Sequence, residues 1–115
     1  MKKNRPVCDL VVLLVRFDGS VRICPVELKG RNISRGLRQL EVTCRGFKRK
    51  LGEGEDSTGT ELRAGLLSTA SEPHKSKFYR RSRERLEQLL GSRRLLVKTG
   101  LPRRAMFDLG PFLRA

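Results

Sequence analysis

Two runs of branched aliphatic residues meet across a four-residue turn near the start of the chain, and they constrain most of what can follow. Residues 7–16 (VCDLVVLLVR), apolar without a break from Leu10 to Val15, predict a buried strand. Residues 21–29 (VRICPVELK) read as the returning strand. Between them, Phe17-Asp18-Gly19-Ser20 carries an Asp-Gly pair, which tolerates the positive φ values of tight hairpin turns. Pro25 cannot donate to a ladder, so a bulge or an unpaired N–H side is expected there.

Gly30-Arg31-Asn32 breaks the second strand, and Asn32 can cap a helix. Ile33, Leu37, Leu40, Cys44, Phe47 and Leu51 then step by four and three, one apolar stripe of a helix. Residues 52–59 (GEGEDSTG) predict a polar loop and residues 60–69 (TELRAGLLST) a third strand. Ser71-Glu72-Pro73 reads as a helix start, with Pro in the first turn. Residues 75–90 are expected to be helical, with Phe78, Leu86, Leu89 and Leu90 on one side, and Gly91 ends them. Residues 94–98 (RLLVK) predict a short last strand, and residues 99–115 a tail with little pattern. The expected fold is therefore α/β: one small domain over residues 7–98, with a mixed sheet of about four strands flanked by helices. Residues 1–6 form a basic lead-in.

Charge narrows the function. The 115 residues carry 26 Lys and Arg against 12 Asp and Glu, a net charge of +14 and a pI of about 11.0. That balance argues against an acidic buffer or a neutral metabolic enzyme. It favours a polyanionic partner, nucleic acid first and an anionic membrane second. Arg outnumbers Lys by 18 to 8, which suits bidentate phosphate recognition; a GC-rich genome or a thermophilic source explains the bias equally well. Lys75, Lys77, Arg80, Arg81, Arg83 and Arg85 crowd the second helix. Such a run reads either as a solvated face or as a phosphate grip. Cys8, Cys24 and Cys44 are an odd set without C-x-x-C spacing, and His74 is the only histidine. They are expected to be reduced thiols of a cytoplasmic protein rather than zinc ligands. The longest apolar run, residues 10–15, is too short to span a membrane, and no signal-peptide pattern precedes it.

The chemistry gathers across the hairpin. Glu27 and Lys29 are two apart on a strand and project from one face. Antiparallel pairing about the Asp18-Gly19 turn puts Asp9 roughly opposite Glu27 or Leu28. Two neighbouring carboxylates repel, and a hard divalent cation relieves that repulsion. Mg²⁺ (or Mn²⁺) there would polarise a phosphate oxygen and lower the pKa of its bound water. A lysine alongside could orient that water or stabilise the transition state. As ordinary surface chemistry, Glu27 and Lys29 would be a strand-end ion pair worth about 0–1 kcal/mol, which leaves Asp9 unexplained.

Asp, a hairpin, then Glu-x-Lys followed by a helix resembles the PD-(D/E)XK nuclease superfamily. "CDLVVLL" and "VELKGRNISRGLRQLEVT" are similar to small prokaryotic members, as are the "LLSTASEP" strand and the basic helix. The resemblance covers roughly residues 7–98 and implies a restriction-endonuclease-like core. It implies that Asp9, Glu27 and the Leu28 carbonyl hold the metal, that Lys29 is the catalytic lysine, and that Gln39 supports the site. The chain departs from the pattern in three places. Residues 1–8 contain no acid to match the one many members carry on an N-terminal helix, Cys8 rather than Pro precedes Asp9, and Pro25 lies close to the site.

The expected function is metal-dependent phosphodiester hydrolysis, on DNA before RNA. Arg31, Arg38, Lys75, Lys77, Arg80 and Arg81 are the candidates to grip the backbone. A homodimer is expected where both strands of a duplex are cut. The competing expectations are a non-catalytic nucleic-acid-binding module and an interaction subunit of a larger nuclease or defence complex.

Overall fold

In a computed structural model, residues 8–53, 59–73, 76–104 and 106–115 are described. They form a small compact α/β domain built on a mixed five-stranded sheet. Strands β1 (Leu10–Val15) and β2 (Val21–Lys29) make the antiparallel hairpin, with Leu10 opposite Val26 and Val15 opposite Val21. Gly19 takes φ +90° at the turn, as its Asp-Gly pair predicts, and the Asp18 carboxylate accepts from the Ser20 N–H and hydroxyl.

Helix α1 (Ile33–Glu53) follows. Asn32 Oδ1 accepts from the Arg35 N–H at 3.2 Å, so the expected cap is in place. Ile33, Leu37, Leu40 and Cys44 are buried along the expected stripe. The predicted third strand is present in two pieces, β3 (Thr60–Leu62) and β4 (Ala64–Ser68), separated at Arg63. Both run parallel to β2. Of the loop expected at 52–59, residues 54–58 lie outside the described residues.

Pro25 explains part of that separation. Arg16 and Ser20 are bonded across the hairpin, so by alternation Pro25 and Val11 form a non-hydrogen-bonded pair. The missing N–H of Pro25 therefore faces the β3–β4 side, where the chain passes from one piece to the other. The pairing of β1 with β2 runs residue for residue from Leu10 to Val15, without the bulge that Pro25 suggests.

The second long helix, α2, spans Lys77–Leu90. Its cap is Ser76, whose hydroxyl accepts from the Tyr79 N–H at 3.1 Å. The start expected at residues 71–73 is thus too early. The buried stripe also differs, running through Tyr79, Ser82, Leu86 and Leu90. Phe78, one position from Tyr79 and so about 100° round the helix, is turned half outward. Gly91, at φ +101°, closes the helix through its N–H to the Glu87 carbonyl. One 3₁₀ turn (Ser92–Arg94) leads into β5 (Leu95–Lys98), parallel to β4.

The sheet order is β1-β2-β4-β5, with β3 continuing the β4 position beside β2. On one face, α1 and α2 bury Leu37, Leu40, Cys44, Leu66, Tyr79 and Leu86. The other face is closed by the segment expected to be a patternless tail. Its short helix α3 (Gly110–Arg114) sets Leu113 against Cys24 and Val26, with Leu109 and Phe112 alongside. Arg22 donates to the Leu113 and Ala115 carbonyls, and the buried Arg63 to those of Phe112 and Ala115. Two guanidiniums thus satisfy the last carbonyls of α3, where cations are favoured.

The first strand departs from expectation. Of the run 7–16, residue 7 lies outside the described residues, and among the rest only 10–15 form a strand, at the sheet's edge rather than its centre. Its side chains at Leu10, Val11, Leu13 and Val15 are exposed. Helix α1 lies over β2 and β4 and does not reach across β1. Cys24 and Cys44 are buried free thiols, pushed up to about 12 by desolvation, and Cys8 is half-buried and free. Among the described residues no helix is long and apolar enough to cross a membrane.

Candidate active site

Strand β2 carries Glu27, Leu28 and Lys29 at its last three positions. Glu27 and Lys29 face α1. Their side chains meet, with Lys29 Nζ 3.4 Å from Glu27 Oε2, while Glu27 is only 3% exposed. The paired residues of the hairpin end at Leu10 opposite Val26, so Asp9 stands next in line, opposite Glu27. The chain bends at Asp9, and its Oδ2 accepts the Leu28 N–H at 2.8 Å. Since Val26 bonds towards β1, alternation turns the Leu28 N–H and C=O the same way, past the first residue of β1. Asp9, Glu27 and the Leu28 carbonyl therefore converge at one corner of the sheet.

Burial dominates the electrostatics there. Desolvation pushes the Glu27 carboxyl above the ordinary glutamate range, the Asp9 charge adds to the rise, and Lys29 partly opposes it. Glu27 Oε1 is buried without a hydrogen-bond partner. A buried acceptor of this kind is costly unless something satisfies it. A hard divalent cation suits a set of carboxylate and carbonyl oxygens, so these residues fit Mg²⁺ or Mn²⁺. Among the described residues, no three His, Cys, Asp or Glu side chains gather at one point; two carboxylates and a carbonyl are what this corner offers.

The raised Glu27 pKa has a definite consequence for stability. A carboxyl whose folded pKa lies above its unfolded value makes the folded state the stronger proton binder. Its contribution is then lost as pH rises from the ordinary value, about 4.3, through the raised one. In EDTA, the wild type should lose stability over that window relative to Glu27→Gln. The variant should be the more stable at pH 7, by about 1 kcal/mol, because it removes a desolvated charge that Lys29 only partly offsets. Urea denaturation at pH 4 to 7 reads the difference, and parallel curves for the two proteins would contradict it.

Helix α1 comes close to this corner at Gly36. A Cβ added there would stand 2.8 Å from Leu66 Cδ1 and from Lys29 Cγ, and 3.5 Å from Glu27 Cγ. Gly36 therefore lets the helix backbone press on both site side chains. Sequence reasoning passes over it, because a glycine within a helix does not by itself announce close approach: Gly46, in the same helix, has open space around it. Gln39, almost one turn on, is half-buried with its Oε1 buried and unpartnered.

A cleft of about 420 Å³ opens beside Gln39, lined also by Asn32, Arg35, Arg38, Val42 and Phe78. The Arg38 guanidinium lies 5.9 Å from the Phe78 ring centroid, a cation–π contact that ties the starts of α1 and α2. Of the expected backbone-binding residues, Arg31, Arg38, Lys77, Arg80 and Arg81 are all exposed, and Lys75 lies outside the described residues. Arg35 and Phe78 are additions from the structure; the sequence places Phe78 on the apolar side of its helix instead.

Comparison with protein-family models, with curated proteins and with solved structures finds no match to this chain.

Proposed function

We propose that this chain is a metal-dependent nuclease with a restriction-endonuclease-like core, acting on DNA. The observation that carries the reading is the corner itself. Asp9, the buried Glu27 with its unpartnered oxygen, and the Leu28 carbonyl converge there, with the Lys29 ammonium held against Glu27. A divalent cation bound there would polarise a phosphate oxygen and lower the pKa of its water. Hydrolysis places a water-derived hydroxyl on phosphorus and returns a proton to the departing oxygen. Lys29 is aimed to stabilise the charge that builds on the phosphoryl oxygens, or to orient the attacking water. Glu27 and Asp9 fix the position of both.

The exposed arginines and lysines at the starts of α1 and α2 grip the phosphate backbone. Phe78, half-exposed between Arg38 and the cleft, gives a base of an unpaired strand a ring to stack on. Binding should therefore fall steeply with salt and depend little on sequence.

The test is cleavage of supercoiled plasmid and of single-stranded DNA with Mn²⁺, with Mg²⁺ and with EDTA, comparing wild type with Asp9→Ala. Metal-dependent cutting that disappears in Asp9→Ala is the expected result. Cutting unaffected by that substitution would move the activity elsewhere. No cutting, together with a gel shift indifferent to EDTA, would make the chain a nucleic-acid-binding module.

A further inference from the structure

We infer that the outer edge of β1 is a self-association surface, on which a second copy of this chain pairs antiparallel to the first through residues 10–15. The pairing stands apart from the nuclease reading and holds whether or not the corner at Glu27 is catalytic.

The strand is exposed on two counts. Among the described residues β1 pairs only with β2, so its far edge presents free backbone groups. Val11, Leu13 and Val15, on the face beside α1, are also 43%, 59% and 67% exposed. The wholly exposed Phe17 lies just beyond Val15 at the hairpin turn, while Leu10, 46% exposed, stands on the opposite face with Val26. A row of exposed apolar side chains along one strand face is the kind of surface that marks an interaction site. Natural edge strands are guarded by charges, proline or bulges. Residues 10–15 carry none of these, in a chain that is one-third charged.

The chemistry of the edge selects its occupant. A polyanion finds no cation anywhere on residues 10–15. The opposite edge of the sheet, β5, ends in Lys98 and follows Arg93 and Arg94. A head-to-tail β1–β5 contact would bring that positive cluster onto an apolar strand and leave both ends of the assembly open. Pairing β1 with its own copy joins two uncharged strands and closes after one step.

The backbone fits the same operator. Leu10, Val12 and Leu14 bond towards β2, so the N–H and C=O groups of Val11, Leu13 and Val15 point outward. A two-fold axis at Leu13 sets Leu13 against Leu13 of the second copy, and Val11 against Val15. Outward donors then meet outward acceptors at all three positions. The same register aligns six apolar side chains on one face of a continuous sheet. The two Glu27–Lys29 corners fall at opposite ends of the new ribbon.

Six residues a side are far fewer than the roughly 20–30 of a standard interface. The two chains also repel through +14 charges each. Both point to a reversible dimer strengthened by salt, since screening removes the repulsion and leaves the apolar contact. Nucleic-acid binding has the opposite salt dependence.

The test is sedimentation equilibrium on nuclease-treated protein from about 1 to 100 µM, at low and high NaCl. The wild type should move from 13.1 kDa towards twice that mass, at lower concentration in high salt. Leu13→Lys should stay at the monomer mass throughout while keeping the wild-type circular dichroism, because Leu13 faces outward. Leu13→Cys, in a Cys8→Ser background, should be joined to its copy by a short bis-maleimide; Arg85→Cys, on the exposed face of α2, should not. A wild type monomeric at every concentration and salt overturns the inference. So does a dimer that survives Leu13→Lys, a series of higher oligomers, or equal cross-linking at residues 13 and 85.

Discussion

Lys29→Ala should lower the metal-dependent cleavage rate by about 10²–10³-fold at saturating Mn²⁺, while the protein remains folded. The proposed reading gives the ammonium a transition-state role. It sits 3.4 Å from a carboxylate that is itself buried, and three-quarters of its side chain is covered. Gly36 brings the α1 backbone against the stem of that side chain, which limits its freedom. A preorganised cation in a partly desolvated corner is worth much more than the same cation in water. Removing it has a second effect, because Lys29 opposes the rise in the Glu27 pKa. The variant's carboxyl will hold its proton to higher pH, and metal affinity will fall at a given pH. Saturating metal separates the two effects, since affinity can be restored by concentration and transition-state stabilisation cannot. Lys29→Arg keeps the charge but moves it to a longer, planar group, so it should recover metal affinity more than rate. A wild-type rate for Lys29→Ala at saturating metal would remove Lys29 from the chemistry. Thermal unfolding of each variant guards against misreading a folding defect as a catalytic one.

The hairpin, the α1 stripe and the approach of Asp9 to Glu27 were legible because each follows from local rules. An Asp-Gly turn fixes antiparallel register, and register fixes which residues face one another. What the sequence concealed depends on which element covers which. The run Leu10–Val15 has the composition of a central strand, and only the position of α1 over β2 and β4 leaves it uncovered. Phe78 and Tyr79 are both aromatic and adjacent. The choice of Tyr79 for the core follows from its hydroxyl, which donates to Glu72 at 2.7 Å and accepts from Arg83 at 2.9 Å. That network needs three residues whose proximity no local pattern announces. The C-terminal segment offers two prolines and no period, yet Leu113 completes the second core because Arg22 and Arg63 hold its helix in place. Arg63 reads as one residue of a continuous strand and is instead the interruption in it. In the site, the carboxylates and lysine could be placed from pairing alone. The glycine that presses the helix onto them could not, because its importance lies in a tertiary distance.

That distance yields a prediction in which two effects of known size oppose each other. Replacing glycine by alanine inside a helix stabilises it by about 0.8–1.0 kcal/mol through backbone entropy and helix propensity. Gly46 is the reference case: it lies in α1, and an added methyl there would meet nothing within 4 Å, so Gly46→Ala should gain close to that full amount. Gly36→Ala, at the fourth residue of α1, starts with at most that gain and brings a methyl to 2.8 Å from two side-chain carbons. One of these, Leu66 Cδ1, belongs to a fully buried residue with little room to yield. Overpacking a filled core costs about 1–3 kcal/mol, so the net effect should be a loss of about 1 kcal/mol. Gly36→Val adds two further carbons to the same gap and should lose about 3 kcal/mol. The strain is shared by Lys29 Cγ, which has more room to yield than Leu66 because its side chain is 24% exposed. Relief by that route displaces the ammonium from Glu27, so cleavage should fall more steeply than stability does across the alanine and valine variants. Urea denaturation of Gly36→Ala, Gly36→Val and Gly46→Ala gives the signs directly. Were Gly36→Ala to stabilise as much as Gly46→Ala, α1 would not approach β2 as closely as 2.8 Å implies, and the backbone support for Lys29 would fall with it.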